Sequence, residues 1–393
     1  MNTAILAPDV QQYIDANLNG DVHRIALAKS PFPDVSAKEL SAQIMAKKKS
    51  GKKLPTWFQH EQIYYPPLLS IEQCSSEITA KYKATLIGGG NVIDLTGGFG
   101  VDSFYFAKRA ESVVHCELDA ELSEIAAHNA KVLGAKNISC QPVNGLEYLA
   151  EHAVSFQTIY VDPARRSKEG KVFMLKDCTP DIVTHLDLLL NKSKQVIIKT
   201  SPLLDISAGI KELKNVAEVR IISTKNECKE LLFILKAEFE GQAILTAVTL
   251  NDTVKEISFS TRDVAEQGVG KIKILGRYLY EPDVALLKSG AFNQIAQRYG
   301  LAKLDQHTQL YTSDSVTSEF PGRIFSINEI YTAQELKKEK SLSGNVIVRN
   351  YPEKAENLVK KFKIQSSDNQ FLIFTKDSNH GFVVIDATIL QHY

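Results

Sequence analysis

From Asn91 to about residue 236 the sequence alternates short apolar runs with amphipathic stretches. NVIDL and SVVHCEL have the composition of strands, and a stretch with helical periodicity follows each of them. Three further apolar runs, in NISCQPV, FQTIYVD and KQVIIKT, continue the pattern. Strands that alternate with helices form a parallel sheet with helices on both faces. The pattern therefore predicts an α/β fold, and open sheets of this kind bind ligands at the carboxyl ends of their strands.

The last two apolar runs of this region lie in EVRIISTKNECKELLFILKA and are joined by a short polar Asn-Glu turn. They predict an antiparallel hairpin at the end of the parallel sheet. A dinucleotide-binding domain would instead continue with parallel crossovers. The expected fold class is therefore α/β with a Rossmann-like sheet, parallel except for a terminal antiparallel hairpin, which is the shape of class I methyltransferases.

The regular alternation of strands and helices does not continue on either side of this region, so we divide the chain into four segments. We expect a helical N-terminal region at 1–85, which several prolines interrupt, and the sheet domain at 86–238. A small α+β domain of the ferredoxin-like type is expected at 239–320. A second small α+β domain is expected at 321–393, where the order is strand, helix, strand, strand.

The overall charge of the chain gives no sign of its partner. Lysine plus arginine and aspartate plus glutamate both number 46, so any nucleic acid must be met by local patches. The five cysteines form no CxxC pair and no Cys/His cluster, which favours reduced thiols and no metal site. Without a signal-peptide pattern or an apolar run of bilayer length, the sequence predicts a cytoplasmic protein with no membrane partner.

The strongest local signal is VIDLTGGFGVD, residues 92–102. Gly97, Gly98 and Gly100 lie between a strand and a helix, where glycine allows a sharp turn and a close approach of backbone N–H groups to a ligand. The spacing is not GxGxxG, so the pyrophosphate-binding fingerprint is not met. Asp94 at the strand tip would repel a pyrophosphate. It suits a ligand that carries an ammonium and a sulfonium, such as S-adenosylmethionine.

Polar residues at the next two strand tips extend this candidate cofactor site. Glu117 ends the second strand, where a carboxylate accepts both ribose hydroxyls of an adenosine ligand. Asn144 and Gly145 follow the third strand, where an amide and a backbone N–H can contact the adenine edge. We add Thr96 and Leu118, the neighbours of these groups, to the cofactor-binding set.

Asp102 has two interpretations at this stage. Its carboxylate either accepts a hydrogen bond from the methionyl amine or caps the helix that begins there.

The fourth strand ends in YVDPARR, which supplies the candidate catalytic residues. Asp162 can lie between cofactor and substrate and accept a hydrogen bond from an amine or a hydroxyl. Pro163 fixes φ and stiffens the loop. Arg165 and Arg166 either contact phosphate or stack on a base, or are surface arginines paired to nearby acids. No cysteine stands in or beside this segment of the sequence, which disfavours a covalent mechanism and favours direct in-line transfer.

The segment 86–236 resembles a class I S-adenosylmethionine-dependent methyltransferase. Upstream, EQCSSEITAKYKA resembles the helix before the glycine loop in RNA N2-guanine methyltransferases of the trimethylguanosine synthase type. That resemblance implies that Ser75, Ser76 and Glu77 cover the cofactor. The DPARR segment departs from the family pattern, because a second proline and an aromatic residue are missing. This departure disfavours an exocyclic amine as the methyl acceptor and leaves a ring nitrogen or a ribose oxygen open.

More of the chain resembles a bacterial family of such methyltransferases with a THUMP-like C-terminal domain. The segments that carry this likeness are YLYEPDVALLKSGAF, LYTSDSVTSEFPGRIFSI and GNVIVRNYP. The likeness implies S-adenosylmethionine as cofactor and an RNA substrate, tRNA or rRNA. The lysine-rich stretch AKKKSGKK is expected to be a loop that is either solvated or faces phosphate. The lysines of residues 335–363 either contact phosphate or form the solvated face of a helix. A protein or small-molecule acceptor, or a non-catalytic RNA-binding module, are the competing interpretations.

Overall fold

The computed structural model describes residues 1–165, 174–265, 272, 275–339 and 341–393. The chain forms two compact units. The first contains residues 1–217 and 232–240, and the second contains residues 218–231 and 241–393. The four-segment division drawn from the sequence stays a proposal beside this division into two.

Six helices form the N-terminal part of the first unit: α1 Pro8–Ala16, α2 Val22–Leu27, α3 Ala37–Lys53, α4 Pro55–Gln59, α5 Leu68–Gln73 and α6 Glu77–Ala84. α3 begins at a capping box, in which Ser36 and Glu39 satisfy each other's backbone N–H groups. The lysine-rich tract AKKKSGKK forms the last turns of this helix. The prediction of a loop there is therefore wrong, and buried Lys47 pairs with Asp15.

Trp57, which follows the lysine-rich tract, is a core residue. Its side chain is 1% exposed, and its ring lies edge-on to Phe104 with 5.0 Å between centroids. A tryptophan buried in this way packs the helical layer and does not offer a stacking face to a nucleic acid.

The rest of the first unit is the predicted α/β layer. Its strands are β1 Asn91–Asp94, β2 Ser112–Cys116, β3 Ile138–Gln141, β4 Phe156–Val161, β5 Ala164–Arg165, β6 Cys178–Thr179 and β7 Ser193–Thr200. Its helices are α7 Val101–Ala107, α8 Ala120–Val132, α9 Gly145–Glu151, α10 Leu186–Asn191 and α11 Ile206–Glu212. Five of these strands are neighbours in the order β7-β4-β1-β2-β3 within the main sheet, and all of these neighbours are parallel. The apolar runs of the central strands are buried because helices cover both faces.

The terminal hairpin consists of β8 Val216–Thr224 and β9 Glu227–Lys236. Its turn residues are Lys225 and Asn226, whose φ angles of 49° and 59° are both positive. Turns of this type fit the right-handed twist of two antiparallel strands. The predicted fold class, a parallel Rossmann-like sheet followed by an antiparallel hairpin, is confirmed.

The second unit contains β10 Ile244–Leu250, β11 Val254–Ser260 and α12 Thr261–Ala265, with β10 parallel to β8 and antiparallel to β11. It also contains a seven-stranded sheet of order β13-β14-β12-β15-β18-β17-β16. The strands of that sheet are β12 Tyr278–Pro282, β13 Ala302–Asp305, β14 Thr308–Ser313, β15 Gly322–Tyr331, β16 Asn345–Val348, β17 Gln370–Asp377 and β18 Gly381–Gln391. Its helices are α13 Val284–Ser289, α14 Phe292–Tyr299, α15 Ala333–Leu336 and α16 Ala355–Phe362.

The strands β15 to β18 have one apolar cluster on each face, one built around Phe325 and Ile385 and the other around Leu358 and Phe374. In the part of the chain that the structure describes, no helix combines the length and apolar character that crossing a bilayer requires.

Candidate active site

The glycine loop runs from the end of β1 into α7. Gly98 and Gly100 have φ angles of 53° and 82°, which residues with a side chain rarely adopt. Gly100 immediately precedes the helix. At Gly97 the constraint is steric, because a Cβ atom there would lie 2.2 Å from Nε2 of His115. The loop is therefore folded directly onto an imidazole ring, and only glycine fits at position 97.

His115 in β2 supports this loop from below. Its side chain is fully buried, and Nε2 lies 3.2 Å from the carbonyl oxygen of Gly98. Because that oxygen can only accept a hydrogen bond, Nε2 carries the proton in this contact. Burial lowers the pKa of His115, so the ring is a neutral support for the loop rather than a base.

Asp94, at the end of β1, lies inside the loop. It is 1% exposed, and its carboxylate accepts the backbone N–H of Thr96 at 3.1 Å and the hydroxyl of Ser103 at 2.7 Å. Among the described residues it makes no ion pair. Burial, with the negative charges of Asp102 and Asp162, raises the pKa of Asp94 to about 7. Asp94 therefore titrates near neutral pH.

Thr96 joins the tips of β1 and β4. Its hydroxyl oxygen accepts the backbone N–H of Asp162 at 2.7 Å, and the N–H of Leu95 donates to the carbonyl of Tyr160 at 3.0 Å. The backbone at Asp162 is thus held next to the glycine loop, as the parallel order of the strands predicts.

Glu117 approaches the loop from the end of β2. One carboxylate oxygen accepts the N–H of Gly98 at 2.9 Å, and the other accepts the N–H of Asp119 at 2.9 Å. The next side chain, Leu118, is 69% exposed. A partly exposed carboxylate can accept hydrogen bonds from sugar hydroxyls, and an exposed apolar side chain can pack against a base. Together they suit a nucleoside.

Asn144 and Gly145 have local roles at the tip of β3. The Asn144 side chain caps α9 by accepting the N–H of Leu146 at 3.0 Å, and its amide donates to Glu147 at 3.0 Å. A Cβ atom at Gly145 would lie 2.5 Å from the carbonyl oxygen of Leu95, so this glycine lets α9 touch the end of β1. The exposed side chain beside them is Val143, which sequence reasoning missed.

Asp102 belongs to a buried network. It accepts hydrogen bonds from Ser75 at 2.7 Å and from Tyr160 at 2.9 Å, and the ammonium of Lys83 lies 3.0 Å from Oδ1. It does not cap α7, which begins after Gly100. Burial alone would raise the pKa of Asp102, but the neighbouring lysine charges and the Ser75 hydroxyl outweigh burial and lower it. Asp102 is therefore ionised at neutral pH.

Lys83 is the residue of this network that sequence reasoning missed. It is 0% exposed and also donates to Ser75 at 2.6 Å. A signal was present, because Ala80, Lys83, Ala84 and Ile87 follow the spacing of one apolar helix face. A lysine on such a face must be buried with a partner.

The three residues implied by the trimethylguanosine-synthase resemblance separate in the structure. Ser75 contacts Asp102, whereas Ser76 caps α6 by accepting the N–H of Thr79 at 3.4 Å. Glu77 is buried and accepts the hydroxyl of Tyr105 at 2.7 Å. Only Ser75 of the three has its side chain in the network around Asp102.

At the tip of β4 the Asp162 carboxylate forms an ion pair with Lys199 of β7. Val161 and Ile198 are partners in the parallel ladder, so the next residue of each strand lies side by side. The side chain of Lys199 is 15% exposed, and that of Asp162 is 34% exposed. The Asp162 carboxylate is therefore partly accessible, and Lys199 is its ion-pair partner.

The remainder of the DPARR segment is only partly described. Pro163 is buried, and Ala164–Arg165 forms β5, which is paired with Cys178–Thr179 of β6. The side chain of Arg165 and the whole of Arg166 lie outside the described residues. Cys178 is the ladder partner of Arg165, so a cysteine does stand beside the segment in space.

All five cysteines are free thiols, and in the described part of the chain no group of His, Cys, Asp and Glu is placed to hold a metal ion.

Comparisons with known proteins agree with this geometry. A family model of a ferredoxin-like domain matches residues 278–321, and a model described as THUMP domain-like matches residues 322–386. The crystal structure of a candidate methyltransferase from Porphyromonas gingivalis W83 is similar over 99% of both chains, with a TM-score of 0.88 and 28% identity.

Two relatives are similar in sequence. An uncharacterized S-adenosylmethionine-dependent methyltransferase of Mycobacterium tuberculosis is 23% identical over 313 residues, which cover 78% of this chain and 83% of the relative. An uncharacterized RNA methyltransferase of Mycoplasma mobile is 34% identical over 85 residues, which cover 22% of this chain and 23% of the relative.

Proposed function

We propose that this chain, an S-adenosylmethionine-dependent methyltransferase with a class I fold and a THUMP-like C-terminal domain, methylates RNA. The methyltransferase resemblance drawn from the sequence is confirmed by the similarity to the Porphyromonas gingivalis protein over the whole chain and by the THUMP-like match. The RNA acceptor and the roles of individual residues are our proposal.

The donor site that we propose lies at the tips of β1, β2 and β3. Gly97, Gly98 and Gly100 carry no side chains that would keep a ligand from the backbone, and the side chain of Phe99 between them is buried. Glu117 offers oxygens to ribose hydroxyls. Exposed Leu118 and Val143 offer apolar contact to the adenine ring. Bound there, S-adenosylmethionine would supply an electrophilic methyl group.

Charge balance supports a cationic donor. Asp102 is paired with Lys83 and Asp162 is paired with Lys199, so neither carries an uncompensated charge. Asp94 is the carboxylate of this group that makes no ion pair among the described residues. Its charge can therefore attract a sulfonium.

The affinity for S-adenosylmethionine should depend on pH through Asp94. With a pKa of about 7, the carboxyl is mostly protonated at pH 6 and mostly ionised at pH 8. We expect S-adenosylmethionine to bind about tenfold more tightly at pH 8 than at pH 6, because ionised Asp94 attracts the sulfonium. The affinity for S-adenosylhomocysteine, which lacks that charge, should change much less. Calorimetric titrations with both ligands at several pH values measure the difference.

Asp94→Asn is the matched variant for this prediction, because its side-chain oxygen can still accept the N–H of Thr96. It should bind S-adenosylmethionine with little pH dependence. Without ligand, the raised pKa means that the contribution of Asp94 to stability is present below pH 3.8 and is lost as pH rises through about 7. The variant should therefore gain stability relative to the wild type at pH 8 but not at low pH. An unchanged pH dependence of binding in the variant would contradict the role of Asp94.

The acceptor site that we propose is next to Asp162. Its backbone is fixed by Thr96, and its partly exposed carboxylate can accept a hydrogen bond from the acceptor group. The chain thereby orients the nucleophile for in-line attack, and positioning supplies most of the catalysis such a transfer needs. Pro163 restricts the loop. For Arg165 we retain the role suggested by the sequence, which is phosphate contact or base stacking.

The observation that most supports RNA is a cavity of about 400 Å³ in the THUMP-like domain. Lys337, Lys361 and Lys363 line it together with Glu339 and the partly buried ring of Phe362. Lys361 pairs with Glu353 at 2.7 Å, whereas no ion pair is found for Lys337 or Lys363 among the described residues. Lysines around an aromatic ring provide the two contacts that nucleic acids use, phosphate neutralisation and base stacking.

The other basic residues of the 335–363 stretch are arranged differently. Arg349 pairs with buried Glu281 at 2.6 Å, and Lys340 lies outside the described residues. Lys338, Lys354 and Lys360 are exposed but do not line the cavity. The cavity therefore separates two sets of lysines that the sequence could not distinguish.

RNA binding should depend on the lysines of the cavity. We expect total cellular RNA to be retained on filters with an affinity that falls steeply as salt increases. Lys337→Ala with Lys363→Ala should weaken binding and reduce the slope of log affinity against log salt by about 0.7–0.9 for each phosphate that is no longer neutralised. Lys354→Ala with Lys360→Ala removes the same charge elsewhere in the domain and is the control. Equal reductions in both double variants would contradict a specific role of the cavity.

Methyl transfer gives the direct test of the acceptor. Purified protein and labelled S-adenosylmethionine are incubated with total RNA, and separately with total protein, from a strain that lacks the gene. Label in the RNA, with the modified nucleoside identified by mass spectrometry and missing in that strain, is the expected result. Label in protein alone would replace RNA by a protein acceptor, and binding of RNA without transfer would indicate a non-catalytic module.

A further inference from the structure

The buried network around Asp102 has a charge arrangement that the proposed donor site does not yet use. Lys83 and Asp102 are an ion pair in the interior of the first unit, with side chains 0% and 11% exposed. Buried ion pairs add little net stability over apolar residues of similar volume. Asp102 nevertheless follows the glycine loop by only two residues, which points to a role in ligand recognition.

The network leaves one acceptor position unfilled. Asp102 Oδ2 accepts the hydroxyls of Ser75 and Tyr160 and one N–H of Lys83. Oδ1 has the Lys83 ammonium at 3.0 Å as an ion partner but accepts no hydrogen bond within the described residues. A carboxylate oxygen has room for a second donor.

Lys83 is completely buried, whereas 11% of the Asp102 side chain is exposed, so Asp102 is the member of the pair that a ligand can approach. The Lys83 ammonium is directed at Ser75, Asp102 and, at 3.4 Å, at the hydroxyl of Tyr160. The positive charge keeps Asp102 ionised in a buried place, and the hydrogen bonds fix the orientation of the carboxylate.

We propose that Lys83 is a positioning residue that holds Asp102 as an ionised acceptor for the α-ammonium of the donor's amino-acid end. This inference rests on the proposed donor site, and it makes the chain selective for ligands that carry that amino-acid end. Asp102 makes the contact with the ligand, and Lys83 acts only through Asp102.

Two ligands distinguish this role from a purely structural one. S-adenosylhomocysteine carries the amino-acid end, and 5′-methylthioadenosine shares the thioether and the nucleoside but lacks that end. We expect the wild type to bind S-adenosylhomocysteine about 10- to 100-fold more tightly than 5′-methylthioadenosine, as a charged hydrogen bond implies. Calorimetry on the full chain measures both affinities without any methyl acceptor.

The variants are Lys83→Met, Asp102→Asn and the two combined. Each should bring the affinity for S-adenosylhomocysteine to within a few-fold of that for 5′-methylthioadenosine, whose own affinity stays unchanged. The combined variant should be no worse than either single one, because residues that act as one unit are not additive. It also removes both charges together, so it avoids the unpaired buried aspartate that destabilises the Lys83→Met chain.

The matched control is Lys81→Met, two residues earlier on α6, where the lysine side chain is 58% exposed. It should keep the wild-type preference for S-adenosylhomocysteine. A wild type without this preference would overturn the inference. So would a combined variant that keeps the preference, that also loses affinity for 5′-methylthioadenosine, or whose loss is the sum of the two single losses. If the wild type binds neither ligand, the donor site itself is absent and the inference falls with it; in every other outcome the donor site stands.

Discussion

Asp162→Asn should lower the rate of methyl transfer by about 10²- to 10⁴-fold, the range that a positioned acid–base group contributes. The variant keeps the size of the side chain, and the hydrogen bond from the backbone N–H to Thr96 does not depend on the side chain. The affinity for S-adenosylhomocysteine should therefore stay within a few-fold of the wild-type value. The variant lacks the charge that accepts a hydrogen bond from the acceptor and pairs with Lys199.

The measurement is the initial rate of label transfer to total RNA from the deletion strain, beside calorimetry with S-adenosylhomocysteine. Asp187→Asn is a suitable control, because Asp187 also pairs with a lysine, Lys214, but with side chains 76% and 63% exposed. Such an exposed pair contributes little, so that variant should keep its activity. If the Asp162→Asn enzyme transfers methyl groups at the wild-type rate, Asp162 has no role at the proposed acceptor site.

The residues of the candidate site whose positions in the fold the sequence predicted are those that depend on local chemistry. A strand that is followed by glycines and a helix can adopt few conformations. The sequence pattern alone therefore predicted where Asp94 and Gly97–Gly100 lie in the fold. The parallel order of the strands then placed Glu117 and Asp162 at the same edge. These expectations needed only the alternation of strands and helices and the residue type at each strand tip.

The parts that it did not predict depend on contacts between distant segments. Lys83 and Asp102 are 19 residues apart and meet because α6 packs beside α7. Nothing in EITAKYKA says which lysine is buried, except the apolar stripe that Lys83 shares. In the same way, the capping role of Asn144 follows from α9 beginning one residue later.

The role of His115 also depends on a contact between segments that are distant in the sequence. Nothing in the sequence around His115 assigns it a special role, whereas in the structure the glycine loop is folded onto its ring. The reason why position 97 is glycine is thus an imidazole 18 residues away, which no local spacing rule contains.

Gly97→Ala should therefore disturb the donor site even though alanine is the smallest possible change. Its Cβ would lie 2.2 Å from His115 Nε2 and 2.6 Å from Cε1, so either the ring or the loop must move. The ring is fully buried, so we expect the loop to shift and the N–H of Gly98 to move away from Glu117. Affinity for S-adenosylhomocysteine should fall at least ~10-fold, and the free energy of unfolding should fall by about 1–3 kcal/mol, as overpacking does.

The companion variant His115→Ala separates steric from other causes. Gly97→Ala combined with His115→Ala creates room for the new methyl group, so part of the affinity should return, and the double-mutant cycle should show coupling. Gly134→Ala is the control for backbone strain alone, because its φ is 82° and no atom lies within 4 Å of the added Cβ. Its free energy of unfolding should fall by about 1 kcal/mol, and its ligand affinity should stay unchanged.

Gly98→Val tests the ligand side of the same loop. A Cβ at position 98 would meet nothing closer than 3.9 Å, so a side chain can begin there without a close contact, at the cost of strain from the positive φ. We nevertheless expect binding to be abolished, because the side chain would occupy the space through which a ligand reaches the backbone. Thermal unfolding and calorimetry distinguish the two glycines: position 97 affects loop and ligand together, and position 98 affects chiefly the ligand. Undiminished affinity in Gly98→Val would show that the donor does not bind against this loop.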